Sequence, residues 1–379
     1  MAMRPGRGAA GIVALALVVV AGVVVAGVVG LRLAGPRWGE RATAEPAAPA
    51  AAQPRESDAA GPPQTKARPQ LLDPSPEQTR RTLATLRQVD DHPLFTMSYF
   101  GPAPRVDAGP AAGPATAGPA RSTGMRKPFA CTVFVAGGNR PLVGRNFDWD
   151  HNPALVLFAN PTDAYRSVSV VDISYLGIGA ASDLDDAAKR EALLRAVTLP
   201  FDGMNEHGLT VGMAAVDDLR PELLPGRPAV GSVGVMRQVL DHARTIDEAI
   251  AVFRSYNIDF DGGPGLHYLV AEASGKSAVV EFIDGRLQIV PAQDRWQVME
   301  NFHLSTVADR STFRRYSTAN ARLAATGGTL TPEDSMALLA TVAQGHTQWS
   351  AVYDPVGLSL RLTTDQRYDT VHQFSALSS

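Results

Sequence analysis

The sequence has a single cysteine, Cys131, among its 379 residues. An intramolecular disulfide, a CxxC redox pair and a zinc site built on several cysteines are therefore excluded. The chain also lacks an HExxH motif, and its eight histidines show no spacing typical of a metal site. No basic excess is present, since 35 lysines and arginines face 38 aspartates and glutamates for a net charge of -3. This balance argues against a nucleic-acid-binding protein.

Charged residues are absent from Gly8 to Leu31, a run longer than the roughly 20 apolar residues that a helix needs to cross a bilayer. Its length favours a transmembrane anchor within residues 1–34 over a cleaved signal peptide, although an Ala-rich stretch beyond it leaves cleavage open. Arginines flank the run, so we expect the rest of the chain to be exported, either anchored to the membrane or secreted. Residues 35–72 are Ala, Pro and polar residues without periodicity, which predicts a disordered linker.

The remaining sequence alternates between strand-like and helix-like segments. Residues 73–130 are expected to form a propeptide or a small chain, with a helix over Pro76–Val89 and a flexible Gly/Pro/Ala-rich loop at 101–124. Residues 131–379 show strands, a helix pair, strands, a second helix pair and strands again. This order predicts an α+β domain in which two stacked antiparallel sheets have helices on their outer faces.

Cys131 lies where the low-complexity loop meets an ordered hairpin. Strand-like residues follow it, Gly137-Gly138-Asn139 forms a turn, and the returning strand carries Arg145 and Asp148. Hairpin pairing brings both side chains within reach of the thiol.

This grouping favours chemistry at the sulfur, although a lone cysteine is more often a small buried hydrophobe. A guanidinium such as that of Arg145 lowers the pKa of a neighbouring thiol. Cleavage after Ala130 would also give Cys131 a free α-amine, whose pKa of roughly 7.7–8 suits a base that takes the thiol proton. The residues therefore indicate nucleophilic catalysis by a cysteine thiolate without a histidine base.

Three blocks of sequence then resemble the N-terminal-nucleophile (Ntn) hydrolases of the choloylglycine hydrolase superfamily. This superfamily includes bile salt hydrolases, penicillin V acylases, acid-ceramidase-like amidases and the acyltransferases of penicillin biosynthesis. The blocks are Cys131-Thr132 with Gly144–Asp148, Asp202–Leu209, and His267–Glu281, within a resemblance that extends from about Pro93 to Phe374. The resemblance implies a four-layer αββα sandwich, hydrolysis of a linear amide C–N bond, self-cleavage before the cysteine, and no metal or organic cofactor.

The resemblance also implies roles for individual residues. Cys131 corresponds to the nucleophile, and Arg145 and Asp148 correspond to the residues that orient and tune the nucleophile and its amine. Asn301 is expected to donate its side-chain amide to the oxyanion of the tetrahedral intermediate. The second donor is expected to be a backbone N–H near Ala215, where some relatives have an asparagine.

A late arginine completes the implied site, and three residues compete for this position. Arg315 is favoured because an aromatic residue follows it, Arg314 is its neighbour, and Arg310 fits the acid-ceramidase-like pattern. The two histidines in the matching blocks, His207 and His267, are interpreted as structural.

The function implied is an exported amidase that acts on a small N-acyl compound through an acyl-thioester. Apolar residues near the nucleophile favour an apolar acyl group, whereas the amine half of the substrate and the oligomeric state stay open. One alternative is an acyltransferase that uses the same acyl-enzyme. Another is a non-catalytic, membrane-tethered binding protein on the same scaffold. A lipoprotein with Cys131 as its lipidated residue is excluded, because the cysteine lies far beyond Leu31 and follows no lipobox.

Overall fold

A computed structural model describes residues 71–106, 130–216, 221–260 and 263–377. The expected transmembrane anchor, nearly all of the expected linker and most of the Gly/Pro/Ala-rich loop lie outside these ranges, so those features stay predictions. Within the described ranges, no helix is both long and apolar enough to cross a bilayer.

The described residues form six α-helices, and three short 3₁₀ segments lie before and after the second of them. The helices are α1 (Pro76–Ala84), α2 (Ala187–Ala192), α3 (Gly234–His242), α4 (Ile246–Ser255), α5 (Arg314–Ala325) and α6 (Pro332–Thr341). Two of them begin as the sequence predicts, because Ser75 caps α1 with Gln78 in a capping box, and Thr331 caps α6.

The described residues also form seventeen strands. In chain order they are β1 (Arg87–Asp90), β2 (Leu94–Tyr99), β3 (Ala130–Ala136), β4 (Leu142–Asp148), β5 (Ala154–Ala159), β6 (Ser167–Asp172), β7 (Asp202–Asn205), β8 (Thr210–Val216), β9 (Ala229–Gly231), β10 (Asn257–Asp259), β11 (Gly265–Ala271), β12 (Ser277–Ile283), β13 (Arg286–Pro291), β14 (Trp296–Met299), β15 (Thr347–Asp354), β16 (Ser359–Thr364) and β17 (His372–Ser375).

These strands form two large sheets and one short ladder. The nine-stranded sheet has the order β1-β2-β5-β6-β7-β8-β11-β12-β13, and the six-stranded sheet has the order β14-β3-β4-β15-β16-β17. Strands β9 and β10 pair separately and in parallel. The two large sheets contact each other through β3 and β8, while α3 and α4 pack on the larger sheet and α5 and α6 on the smaller one. The described residues therefore form an α+β sandwich with the layer order helix, sheet, sheet, helix.

Apolar side chains explain why these layers associate. Strands β3, β5 and β8 are buried along their whole length, as expected for strands covered on both faces. Val133 and Val135 of β3 belong to the same apolar cluster as Val211 of β8, so this cluster fills the space between the sheets. A second cluster, including Leu323 and Leu339, joins the six-stranded sheet to its helices.

Two expectations about the first part of the chain are wrong in detail. The expected helix over Pro76–Val89 ends at Ala84, because Arg87–Asp90 pairs with β2 as an edge strand instead. The nine-stranded sheet is also not wholly antiparallel, since β2 and β5 run parallel. A parallel pair needs a long crossover, and here the connection from β2 to β5 includes the β3–β4 hairpin of the other sheet.

Residues 71–106 are an integral part of the sandwich. Strand β2 lies between β1 and β5, and its residues Leu94, Met97 and Tyr99 are almost completely inaccessible to solvent. Removal of this segment would expose β5 and a large apolar surface, at a cost of about 25 cal/mol for each Å². Residues 94–99 of this segment are therefore built into the core.

Candidate active site

The hairpin β3–β4 places Cys131 and Arg145 on one face. Cys131 is opposite Phe147 in the ladder, and Val133 is opposite Arg145, so these four side chains point to the same side of the sheet. That side faces the nine-stranded sheet, where Gly212 of β8 lies against both Val133 and the stem of Arg145. A Cβ at position 212 would lie 3.4 Å from Val133 and 3.6 Å from the stem of Arg145, so the two sheets are closely packed here.

The guanidinium of Arg145 lies beside the thiol of Cys131. Its Nη2 is 3.9 Å from the sulfur and also donates to the carbonyl of Met213 at 3.2 Å. Its Nη1 forms an ion pair with Asp202, and both side chains are 1% exposed. The expected contact between Arg145 and the thiol is therefore present.

Asp202 is a site residue that sequence reasoning missed. Besides Arg145, its carboxylate accepts hydrogen bonds from Trp349 Nε1 at 3.1 Å and from the hydroxyl of Tyr353. A buried guanidinium needs such a counter-ion, because the desolvation of a lone charge costs several kcal/mol. The residue opens the second matching block, but only the pairing of β7 and β8 brings it to Arg145.

Burial, however, outweighs Arg145 in its effect on the thiol. The sulfur-bearing residue is 5% exposed, and this desolvation raises the pKa of Cys131 above its ordinary value. Arg145, a hydrogen bond from the backbone of Asp148, and Arg315 oppose this increase but do not reverse it. In the continuous chain Arg145 therefore lowers the pKa of the thiol as expected, but burial raises it by more.

Asn301 holds the peptide nitrogen of Cys131. Its Oδ1 accepts the N–H of Cys131 at 2.7 Å and an N–H of Arg315 at 2.9 Å, while its Nδ2 donates to the carbonyl of Ala215 at 2.7 Å. This orientation of the amide is determined by its partners, since the reverse orientation would face two donors with a donor. In the continuous chain the amide of Asn301 is thus engaged with Ala215, and its expected role as an oxyanion donor stays a prediction.

Strand β14 is the element that brings Asn301 to the nucleophile. It pairs with β3 in the antiparallel register Met299–Val133, and Asn301 follows two residues after its end. Sequence reasoning did not identify β14 as a strand. Cys131 and Asn301 are 170 positions apart, so their contact could not be predicted without this strand. The apolar Val298 and Met299 beside Trp296 are the sequence features that point to a short strand.

Arg315 is the arginine that reaches the site from the first turn of α5. Its Nη1 donates to the carbonyl of Cys131 at 2.6 Å and to the hydroxyl of Thr132 at 2.8 Å. Its Nη2 lies 2.6 Å from a carboxylate oxygen of Glu300. The guanidinium therefore binds the backbone of the nucleophile, not its sulfur.

The other two candidate arginines lie elsewhere. Arg314 is exposed. Arg310 donates to the carbonyl of Leu304 at 2.7 Å and to the hydroxyl of Tyr316 at 3.0 Å, so it stabilises the segment before α5.

Asp148 is buried at the end of β4, close to the main chain of Cys131. Its carboxylate accepts hydrogen bonds from Thr347 and from Gln344, and it lies 3.7 Å from Arg315. Burial raises its pKa, and the hydrogen bond from Thr347 and the charge of Arg315 oppose that change. The side chain therefore contacts Arg315 and the β15 strand, whereas its backbone N–H contacts the thiol.

A further expectation concerns the apolar residues near the nucleophile, which favoured an apolar acyl group. Phe134 and Leu155 are fully buried core residues and Phe147 is 2% exposed, so none of the three lines an open pocket. In the part of the chain that the structure describes, no group of three or more histidine, cysteine, aspartate or glutamate side chains is arranged to hold a metal ion. The site thus consists of one thiol, two arginines, their acidic partners and one amide.

Comparisons with known proteins give two matches at the level of sequence. A family model for acyl-coenzyme A:6-aminopenicillanic acid acyl-transferase matches residues 197–367, which include Ala215, Asn301 and Arg315 but not Cys131. A penicillin V acylase from Pectobacterium atrosepticum is 26% identical over 202 residues. That match spans about half of each protein, 48% of this chain and 52% of the relative.

Solved structures of similar proteins include two hydrolases. A penicillin V acylase from Agrobacterium tumefaciens has a TM-score of 0.44 and 20% identity, over 65% of this chain and 91% of that one. A mutant conjugated bile acid hydrolase from Clostridium perfringens has a TM-score of 0.47 and 14% identity, over 65% of this chain and 92% of that one. Both TM-scores are low, so the fold assignment rests on the sheet topology described above.

Proposed function

We propose that this chain is a self-processing cysteine amidase, a proposal supported by its similarity to a penicillin V acylase and to the acyl-transferase family model. Its reaction is the hydrolysis of a linear amide C–N bond in an N-acyl compound. The observation that carries this proposal is that both the sulfur and the peptide N–H of Cys131 have polar partners. Arg145 lies 3.9 Å from its sulfur while Asn301 accepts its peptide N–H at 2.7 Å.

The first reaction in this proposal is cleavage of the chain itself. The sulfur of Cys131 attacks the carbonyl carbon of Ala130, the bond from that carbon to the nitrogen of Cys131 breaks, and the nitrogen takes the proton of the thiol. A thioester between Ala130 and the sulfur results, and water hydrolyses it to a carboxylate and a free thiol. The hydrogen bond from Cys131 N–H to Asn301 holds the nitrogen that leaves.

The second reaction uses the α-amine that cleavage creates. The amine takes the proton of the thiol, and the thiolate attacks the carbonyl carbon of the substrate amide. The same amine returns the proton to the leaving nitrogen, which leaves an acyl-thioester on Cys131. Water, deprotonated by the amine, then releases the acid and restores the thiol.

Cleavage before Cys131 would not release the N-terminal part of the chain. Strand β2 is held between β1 and β5, and its apolar side chains belong to the core. We therefore propose that residues 73–130 remain bound as a small chain after cleavage. Under native conditions the two polypeptides should elute together in size-exclusion chromatography, and a denaturant should separate them.

Mass spectrometry tests the processing step directly. We expect purified protein to contain a polypeptide that begins at Cys131, and Cys131→Ala to abolish both processing and hydrolysis. Substitution of the exposed Ser255, on α4, by alanine is a control that should leave both unchanged. A continuous wild-type chain that hydrolyses amides would refute the requirement for a free α-amine.

A screen of the processed protein against candidate amides would identify the substrate. Bile salt conjugates, penicillin V, acyl-homoserine lactones and fatty acyl amides vary the acyl and amine halves separately. The released acid identifies the acyl group. Absence of turnover with every compound, together with an unprocessed chain and an unreactive thiol, would favour the non-catalytic binding protein.

An acyltransferase is a second candidate, because the family model that matches residues 197–367 describes one. Both activities share the acyl-thioester and differ only in whether water or an amine accepts the acyl group. A competing amine added during turnover discriminates between them, since only a transferase gives an N-acylated product as the main one.

Export and membrane attachment are also part of the proposal. They are supported by the uncharged run from Gly8 to Leu31 and its flanking arginines. Membrane fractionation of the full chain, beside a chain that begins at residue 73, tests them. The full chain should sediment with membranes, or lose its first residues on export, and the shortened chain should stay in the soluble fraction.

A further inference from the structure

The carboxylate of Glu281, which does not contact Cys131, connects the two sheets. Glu281 is on β12 of the nine-stranded sheet and is inaccessible to solvent, and β12 contacts β14 of the six-stranded sheet. Its partners lie in the segment that follows β14. Oε1 accepts the N–H of Leu304 at 2.7 Å, and Oε2 accepts the N–H of Ser305 at 3.0 Å and its hydroxyl at 2.6 Å.

His267 completes this arrangement from the neighbouring strand. Its Nδ1 is 3.3 Å from Oε1 of Glu281, and the ring is fully buried. His267 precedes Tyr268 on β11 and follows Leu266, which is the ladder partner of Ala215. The hydrogen bonds from His267 and Ser305 outweigh burial and lower the pKa of Glu281 to about 2, so the carboxylate is charged at neutral pH.

The segment held by Glu281 is the one that carries the amide of the site. Asn301 lies three residues before Leu304, and the intervening Phe302 is buried and stacked on Phe313 with 4.0 Å between ring centroids. The N–H of Phe302 also donates to the carbonyl of Glu300 at 2.8 Å. Because the segment is short and packed, a displacement at Leu304 moves Asn301 as well.

We propose that Glu281 is a positioning residue for the reaction. It fixes residues 300–305, which follow β14 of one sheet, to β12 of the other sheet and thereby sets the place of Asn301 between Cys131 and Ala215. This inference rests on the proposed function, since it assigns Glu281 a part in the same amide chemistry. Glu281 itself does not touch the reacting atoms.

The test compares Glu281→Gln with a matched buried carboxylate. Asp172 is also inaccessible to solvent, and it accepts the N–H of Ser174 at 2.9 Å and its hydroxyl at 2.6 Å, but it does so on the segment after β6. Asp172→Asn therefore removes a carboxylate of the same kind without contact to residues 300–305. Circular dichroism and thermal unfolding establish that both variants are folded.

We expect Glu281→Gln to lower kcat about 10- to 100-fold with little change in KM, a loss of the size found when the partners that orient metal ligands are replaced. Asp172→Asn should keep kcat within about twofold, as for substitutions away from a site. Ser305→Ala removes only the hydroxyl donor and should lower kcat by a smaller factor. If Glu281→Gln does not fold, Ser305→Ala is the variant that tests the positioning role.

Three outcomes separate the inference from the proposed function. A fall in kcat for Glu281→Gln or Ser305→Ala, with Asp172→Asn unaffected, supports the positioning role. Equal effects of Glu281→Gln and Asp172→Asn, or unchanged kcat in the folded Glu281 variant, overturn it while the amidase proposal stands. A wild-type chain that neither cleaves itself nor hydrolyses amides overturns both.

Discussion

Cys131 lies between two buried arginines whose surroundings differ. Arg145 comes from β4, contacts the sulfur and is paired with Asp202 in a region where both side chains are 1% exposed. Arg315 comes from α5, contacts the carbonyl of Cys131 and is paired with Glu300, where the side chains are 9% and 8% exposed. The chain thus uses one cation to act on the thiol and another to hold the peptide.

The two ion pairs differ in how far removal of the arginine would destabilise the protein. The Arg145–Asp202 pair is closed off by Trp349 and Tyr353, so removal of the cation leaves a charged carboxylate without access to water. The Arg315–Glu300 pair is closer to solvent, and Glu300 also accepts the N–H of Tyr316 at 2.8 Å. Stability should therefore depend on the first pair, and the geometry of the peptide on the second.

The largest effect is expected for Arg145→Met. In a Cys131→Ala chain, which stays continuous, this change should lower the free energy of unfolding by about 3–5 kcal/mol, because Asp202 becomes an unpaired buried charge. The double variant Arg145→Met/Asp202→Asn should lose less than the single variant. Urea denaturation followed by fluorescence measures both. Equal losses for the single and double variants would show that packing of the arginine stem, not charge compensation, dominates.

Asn301→Asp is expected to have the next largest effect. The carboxylate keeps an oxygen for the N–H of Cys131 and for Arg315, but it can no longer donate to an oxyanion or to Ala215. Self-cleavage should therefore persist while turnover of an external amide falls about 10²–10³-fold, the usual loss for one oxyanion donor. Intact mass and steady-state rates separate the two steps. A parallel loss of cleavage and turnover would instead place the donor in both reactions.

Arg315→Gln should have an intermediate effect, confined to self-cleavage and turnover. It removes charge-assisted hydrogen bonds to the Cys131 carbonyl and Thr132, each worth about 1.5–3 kcal/mol, so cleavage should slow about 10- to 100-fold. Arg314→Gln is the control, since Arg314 is the exposed neighbour on the same helical turn. Time-resolved intact mass measures the cleavage rate. Equal slowing in both variants would indicate that α5 has been disturbed as a whole.

The two arginines also show how far sequence alone can lead. The hairpin from Cys131 to Asp148 is local, so its turn residues and strand alternation place Arg145 near the thiol without knowledge of the rest of the fold. The position of Arg315 depends on where α5 begins, and a one-residue change in helical phase would have turned Arg314 inward instead. The aromatic residue after Arg315 favoured it, but Arg314 and Arg310 stayed candidates until the helix was known.

Long-range pairing and burial account for the other differences. Asn301 reaches Cys131 only because β14 pairs with β3, and Asp202 reaches Arg145 only because β7 joins the opposite sheet. Neither contact has a local sequence pattern that specifies it. The pKa of Cys131 depends on how much water the completed sandwich excludes, which composition and spacing do not reveal.

The smallest expected effect concerns the thiol itself and compares the two arginines directly. Burial raises the pKa of Cys131 above its ordinary value of 9.0, and Arg145 opposes this more than Arg315 does. Removal of either cation should raise the pKa further, so that less thiolate is present at a given pH and alkylation is slower. Freshly purified continuous chains of Arg145→Met and Arg315→Gln, treated with iodoacetamide across a pH series, give the two midpoints by intact mass.

The midpoint for Arg145→Met should lie above that for Arg315→Gln, because only Arg145 approaches the sulfur. A larger shift for Arg315→Gln would mean that the helix cation, and not the hairpin cation, sets the charge state of the nucleophile. The division of roles between the two arginines would then be reversed, with the peptide and the thiol both governed from α5.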